Sequence, residues 1–171
     1  MKTTRIALTI ALMSIGSAAL AQADAKQSFD RLKALAGTWE GRMTVDPPAP
    51  SIDGTLTTVT LRVTSMGNTL MHEMTGAGRP DDPITMFYLD GDRLELTHYC
   101  DANNRPRMVA KASPDGKRIE FEFADVKGNM KHGHMHGTVF TITGENQHTE
   151  EWTFMRGDKP YRARVELRRK E

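Results

Sequence analysis

The stretch PDGKRIEFEF, residues 114–123, contains both parts of the pattern that decides the fold. Its Pro-Asp-Gly opening is a hairpin-turn signal, because glycine tolerates the positive φ that tight turns require. In the residues that follow, Ile119, Phe121 and Phe123 alternate with charged side chains. Alternate residues of a strand share one face, so this pattern predicts an antiparallel strand that packs one face on a core.

Similar turns and alternating segments recur along the chain at intervals of about ten residues. A helical pattern occurs once, where Phe29, Leu32 and Leu35 follow helical spacing and Gly37 ends the helix. The remaining alternation predicts about ten strands, over residues 38–45, 55–64, 69–77, 84–89, 93–100, 106–112, 117–125, 130–143, 148–156 and 161–169.

Consecutive strands joined by hairpins form a meander, and a meander avoids open edges by closing on itself. We therefore predict an all-β fold, a roughly ten-stranded antiparallel up-and-down β-barrel with a short N-terminal helix. A β-sandwich is the alternative. The chain contains a single cysteine, Cys100, which cannot form an internal disulfide, so the core must hold the fold together.

Residues 1–23 have the features of a cleavable signal peptide. Lys2 and Arg5 precede a mostly apolar run, and Ala21-Gln-Ala23 is a small-x-small cleavage site. We expect cleavage after Ala23 and a secreted or periplasmic protein whose residues 24–171 form one domain. No cysteine follows the apolar run closely, so we expect no membrane anchor after signal cleavage.

The charge balance gives no argument for a nucleic-acid partner. The chain has 23 Lys and Arg against 22 Asp and Glu, and removal of Lys2 and Arg5 with the signal peptide leaves 21 against 22. A nearly neutral chain lacks the basic surface that binds phosphates. We expect a small-molecule ligand, and the sequence leaves the oligomeric state open.

The main functional lead is the run KHGHMHG, residues 131–137. Strict alternation places His132, His134 and His136 on the face of Phe140 and Ile142, which we predict to be inside. The same counting predicts further inward polar side chains at His72, His98, Cys100, His148 and Glu150. Polar groups inside a barrel are costly unless they bind or pair with something.

Three interpretations follow from this predicted lining. A pocket for a small organic ligand would be lined by His72, His98, Cys100, His134, His136, Glu150 and Trp152. Alternatively, His98, His134 and His136 would bind a divalent transition metal, or one histidine would bind a haem. Finally, the histidines would pair within the protein or sit in water at the barrel mouth, as we expect for His132 and His148 beside turns.

The segment LAGTWEG, residues 35–41, resembles the Gly-x-Trp opening of lipocalin-like, or calycin, barrels, in which a tryptophan closes one end. The chain is further similar to a group of uncharacterised secreted bacterial domains of that type in the segments LTHYC (96–100), PRM (106–108), HMH (134–136) and EEWT (150–153). The resemblance implies a lipocalin-like or fatty-acid-binding-protein-like barrel. Nitrobindin-like haem barrels are related at the level of fold only, and fold does not carry function.

From these observations we predict a secreted small-ligand-binding barrel with a histidine-lined interior. A metal- or haem-binding barrel is the alternative. The chain has no recognised catalytic motif, since Gly-x-Ser-x-Gly is absent and His72-Glu73 lacks the second histidine of a zinc-protease helix. An enzyme that uses a metal-bound water is a further alternative.

Overall fold

The computed structural model describes residues 24–77, 82–113 and 115–171, and the predicted signal peptide lies outside the described residues. Residues 24–33 form helix α1. Ten strands follow: β1 Gly37–Asp46, β2 Leu56–Thr64, β3 Thr69–Gly76, β4 Ile84–Asp90, β5 Arg93–Tyr99, β6 Asn104–Ala112, β7 Arg118–Gly128, β8 His134–Gly144, β9 Gln147–Arg156 and β10 Lys159–Arg169. In the described part of the chain, no helix has the length and apolar character needed to cross a membrane.

The ten strands close into a single barrel. Each strand pairs antiparallel with its neighbours in sequence, and β1 pairs with β10 from Trp39↔Arg169 to Asp46↔Arg162. This confirms the predicted antiparallel barrel and excludes the sandwich. The closure removes the unpaired strand edges that an open sheet of these ten strands would expose.

The barrel interior is filled by the apolar face of the strands. The prediction from residues 114–123 is confirmed for Ile119 and Phe121, which are buried. Strand β4 is apolar on both faces, so alternation did not decide its orientation, and the structure buries Thr85 and Phe87. Further large side chains of the core are Leu32, Trp39, Leu61, Leu70, Leu94, Leu96, Met108, Phe140 and Leu167.

Helix α1 and Trp39 seal one end of the barrel. Leu32 and Leu35 are buried there, and the indole Nε1–H of Trp39 donates to the carbonyl oxygen of Leu35 over 2.8 Å. The guanidinium of Arg169, near the end of β10, lies 4.2 Å from the Trp39 ring centroid and donates to the carbonyl oxygen of Ala36 over 2.8 Å. Any opening into the interior must therefore lie at the other end.

The start of β8 departs from the prediction. The strand begins at His134 rather than at residue 130, and its register against β9 shifts between Met135 and Gly137. A bulge inserts one extra residue, so the side chains before and after it no longer follow one alternation. After the bulge, Thr138 and Phe140 lie inside as predicted. Before it, Met135 points into the barrel, where the prediction had placed His134 and His136 instead.

The predicted inward position of the histidine run was therefore wrong. His132 lies exposed in a turn before β8, His134 is partly buried and His136 is exposed. Gly133 and Gly137 flank residues 134–136, and isolated glycines within a strand pattern are typical of bulges. The two glycines therefore indicated the bulge that strict alternation did not predict.

Candidate functional site

A cavity of 390 Å³ opens at the end of the barrel opposite helix α1. Its walls come from the end of β1, the loop after it, and the adjoining ends of other strands. Most of the wall is apolar and includes Met43, Val45, Pro47, Ile52, Met74, Met135 and Phe154. Flexible thioether side chains adapt to ligands of different shape, so this wall suits a compact, mainly apolar molecule.

Aromatic and polar rings form the inner part of the cavity. Trp152 is 5% exposed and His98 is 4% exposed, and their ring centroids lie 5.7 Å apart. The ring of His72 is 5.4 Å from that of Trp152 and also belongs to the cavity wall. His98 Nδ1 and Thr85 Oγ1 share a hydrogen bond of 2.8 Å, which fixes the plane of the His98 ring.

Behind these rings, Glu150 is fully buried. Its Oε2 accepts hydrogen bonds from His72 Nε2 at 2.9 Å and Trp152 Nε1 at 3.0 Å, and its Oε1 accepts one from His148 Nε2 at 3.0 Å. Three N–H donors from β3 and β9 therefore surround a single carboxylate. Such a network is fully satisfied only while the carboxylate is ionised.

The pKa of Glu150 reflects two opposing effects. Burial raises it, but the interactions with His72 and His148 lower it by more, so the net pKa lies well below the usual range. Glu150 is therefore a carboxylate at neutral pH and cannot donate a hydrogen bond. Each imidazole must use Nε2 as its donor to this group.

This arrangement leaves the second nitrogen of each imidazole without a partner. Among the described residues, neither His72 Nδ1 nor His148 Nδ1 has a hydrogen-bond partner, although both are buried. His148 packs between Trp39 and Phe140, with ring centroids at 4.3 and 6.4 Å. His72 belongs to the cavity wall, and in a neutral ring its Nδ1 is an acceptor for a donor group.

The structure brings together five of the seven predicted ligand-binding residues. His72, His98, Cys100 and Trp152 form part of the cavity wall, and Glu150 lies behind them. Burial raises the pKa of the Cys100 thiol. His134 and His136 lie outside that wall. The binding roles of all seven residues remain predictions.

The predicted metal set of His98, His134 and His136 is not assembled. In residues 24–77, 82–113 and 115–171, no group of three or more His, Cys, Asp or Glu side chains is placed to hold a metal ion. The reason is the bulge in β8, which separates the histidine run from the interior face that carries His98.

The inward position that alternation predicts for His148 is confirmed, because His148, Glu150 and Trp152 alternate along β9 and all three are buried. The alternative interpretation, in which His148 lies in water at the barrel mouth beside a turn, was wrong, since its ring packs against Trp39. The position of Thr85 beside His98 could not be predicted, because β4 is apolar on both faces and alternation did not decide its orientation.

No family model matches this chain, and no curated protein matches it. Solved structures that are similar to it include the following two. The protein Rv2717c from M. tuberculosis is 16% identical with a TM-score of 0.63, over 84% of this chain and 98% of that chain. A protein of unknown function of the DUF3598 family from Nostoc punctiforme is 12% identical with a TM-score of 0.55, over 81% of this chain and 49% of that chain. At these identities the likeness shows the fold alone.

Proposed function

We propose that this protein binds a small, mainly apolar organic molecule in the cavity at the open end of the barrel. The observation that carries the proposal is the 390 Å³ cavity itself, which combines an apolar wall with rings of Trp152, His98 and His72 at its inner part. Pockets for small ligands typically have this volume range and this mixture of many apolar groups with a few fixed polar ones.

The polar part of the cavity restricts the chemistry of the ligand. Glu150 places a permanent negative charge behind His72, and the two side chains share a hydrogen bond of 2.9 Å. His72 Nδ1 is buried in the cavity wall and has no hydrogen-bond partner among the described residues, so one polar group of the ligand would meet it there. The proposed ligand is therefore a mainly apolar molecule with one hydrogen-bonding group.

A fluorescent probe tests this proposal. We expect 1-aminoanthracene, an apolar ring system with one amine, to bind saturably and to gain fluorescence in the apolar cavity. Met74→Trp should weaken binding of the probe by about 10-fold. Met74 lines the cavity, so the larger side chain takes up space that the probe needs, and overpacking costs about 1–3 kcal/mol. The measurement is a fluorescence titration of the purified full chain.

Met71→Trp is the matched control. Met71 lies on the same strand as Met74 but has the opposite parity, and it does not belong to this cavity. Its affinity for the probe should stay within about twofold of the wild type. Absence of saturable binding by the wild type, or equal weakening by both substitutions, would count against the proposal. A haem absorption band in the untagged protein would instead favour the haem alternative.

We also propose that the protein acts outside the cytoplasm. The proposal rests on the basic, apolar and small-residue pattern of residues 1–23. Expression in a bacterial host should therefore yield an exported chain that begins at Asp24, and N-terminal sequencing of the extracytoplasmic fraction measures this. Recovery of the uncleaved chain in the cytoplasm would contradict it.

A further inference from the structure

Two histidines lie next to each other outside the barrel interior. His134 Nε2 and His136 Nδ1 are 3.1 Å apart and share a hydrogen bond. We call these two residues the outer histidine pair. They stand at the bulge in β8, where strict alternation is interrupted and where pairing with β7 ends at Glu122↔Gly137. The cavity and its buried carboxylate do not involve this pair.

Phe123 packs against both rings of the outer histidine pair. Its ring is stacked on that of His136, with centroids 4.9 Å apart and planes 16° from parallel. The centroid of His134 also lies 4.9 Å from that of Phe123, at an interplanar angle of 53°. His136 is exposed and His134 is partly buried, so solvent and small ions can reach the pair. The two donor nitrogens are thus close together and accessible.

The separation of the two nitrogens fits one metal ion. Imidazole nitrogens bind Zn²⁺ at about 2.0–2.1 Å, and other first-row divalent ions have similar bond lengths. With the nitrogens 3.1 Å apart, an ion at that distance from both would subtend an N–metal–N angle of about 100°. This angle lies between the values for square-planar and tetrahedral coordination.

The chemistry of the pair is also suitable. A neutral imidazole can carry its proton on either nitrogen, so the proton in the His134–His136 hydrogen bond can be relocated to the other nitrogen of its ring. Both facing nitrogens then present lone pairs, and a rotation of each ring directs these lone pairs at one shared ion. Imidazole is a good ligand for Cu²⁺, Ni²⁺ and Zn²⁺, and Cu²⁺ binds most tightly in this series.

We propose that the outer histidine pair binds one divalent transition-metal ion, with Cu²⁺ preferred. Among the described residues no third His, Cys, Asp or Glu side chain is placed to complete a metal site, so water fills the remaining positions. The site is independent of the ligand cavity, and it differs from the set predicted from the sequence in that His98 takes no part.

The test is a titration of the full chain with Cu²⁺ at pH 7.5 in the presence of glycine, which suppresses weak adventitious binding. We expect about one equivalent to bind. His134→Gln and His136→Gln should each weaken this binding by at least about 10-fold, since the loss of even an outer-shell partner typically costs 10–100-fold in affinity. The double substitution should reduce binding to the background of the N-terminus and the other side chains.

His132→Gln is the matched control, because His132 is exposed and lies in the turn just before β8. Its substitution should leave the affinity unchanged within about threefold. Electron paramagnetic resonance of the wild-type copper complex should show two coordinated imidazole nitrogens. Unchanged binding by the double variant would overturn the proposal, as would an equal loss in the His132 variant. A spectrum with fewer than two imidazole nitrogens would overturn it even if a variant failed to fold.

Discussion

Replacement of Glu150 by glutamine should lower the free energy of unfolding by about 3 kcal/mol at pH 7. The carboxylate accepts hydrogen bonds from His72, His148 and Trp152, and all four side chains are buried. A glutamine offers one acceptor oxygen and turns an NH₂ group toward N–H donors. Some of those donors then lose their partner although their side chains are buried.

Urea denaturation followed by tryptophan fluorescence measures this effect, and thermal unfolding should show a midpoint lower by roughly 6–12 °C. Glu151→Gln is the matched control. Glu151 is the next residue on β9, but its side chain is 45% exposed and pairs with Arg164 at the surface. Removal of such an exposed pair should change stability by no more than about 0.5 kcal/mol.

The loss caused by Glu150→Gln should depend on pH in a defined direction. The pKa of Glu150 is lower in the folded state than in the unfolded chain, where a glutamate has a value of about 4.3. The stabilisation is therefore fully present above that unfolded value and is lost as pH falls toward the folded one. Below about pH 4, the difference in free energy of unfolding between the wild type and the Glu150→Gln variant should narrow by about 1.4 kcal/mol per pH unit.

Two results would contradict this account of the network. One is a Glu150→Gln variant as stable at pH 7 as the Glu151→Gln control. The other is a stability gap that stays constant between pH 5 and pH 3, in the range where the unfolded carboxyl becomes protonated. Either would mean that the buried carboxylate is not held in its charged form by its three donors.

Replacement of Trp39 by alanine should cost about 3–5 kcal/mol of folding stability. Trp39 is fully buried, donates its indole N–H to Leu35 and lies beneath the guanidinium of Arg169. Its ring also meets His148 edge-on at 4.3 Å. Alanine would leave a large cavity where helix α1, strand β1 and strand β10 meet, and the surrounding side chains collapse only partly into such a space.

Trp39→Phe is the informative companion variant. It keeps most of the apolar volume but removes the hydrogen bond to Leu35, so the expected cost is about 1–2 kcal/mol. Both variants are measured by urea denaturation, and both should keep the wild-type affinity for 1-aminoanthracene because the cavity lies at the opposite end. A Trp39→Ala variant within 1 kcal/mol of the wild type would mean that this end is not sealed as described.

Much of the fold could be predicted because its signals are local. Asp-Gly turns and period-two alternation, as at Ile119 and Phe121, report directly on hairpins and on a half-buried strand. The helix around Phe29 is also a local pattern, whereas the sealing position of Trp39 was implied by the resemblance of residues 35–41 to the opening of lipocalin-like barrels. These features depend on residues close in sequence, so one chain is sufficient to recognise them.

The candidate site was predicted only in part because its geometry depends on distant residues. Glu150 and Trp152 could be placed inside by counting along one strand, but their contacts with His72 cross from β9 to β3. The bulge at His136 reverses the alternation on which the histidine prediction depended. A single-residue insertion in a strand changes which side chains meet, and the strand pattern signals it only weakly.

The pairing of β1 with β10 also has a consequence for how the chain folds. The contact of Arg169 with Ala36 spans 133 positions of sequence, and the barrel can close only when the final strand has been synthesised. Contacts between such distant positions carry a high loop-closure entropy, which places folding on the slow side for a domain of this size. Until that moment the nascent sheet has two unpaired edges, and it is most prone to aggregate during this interval.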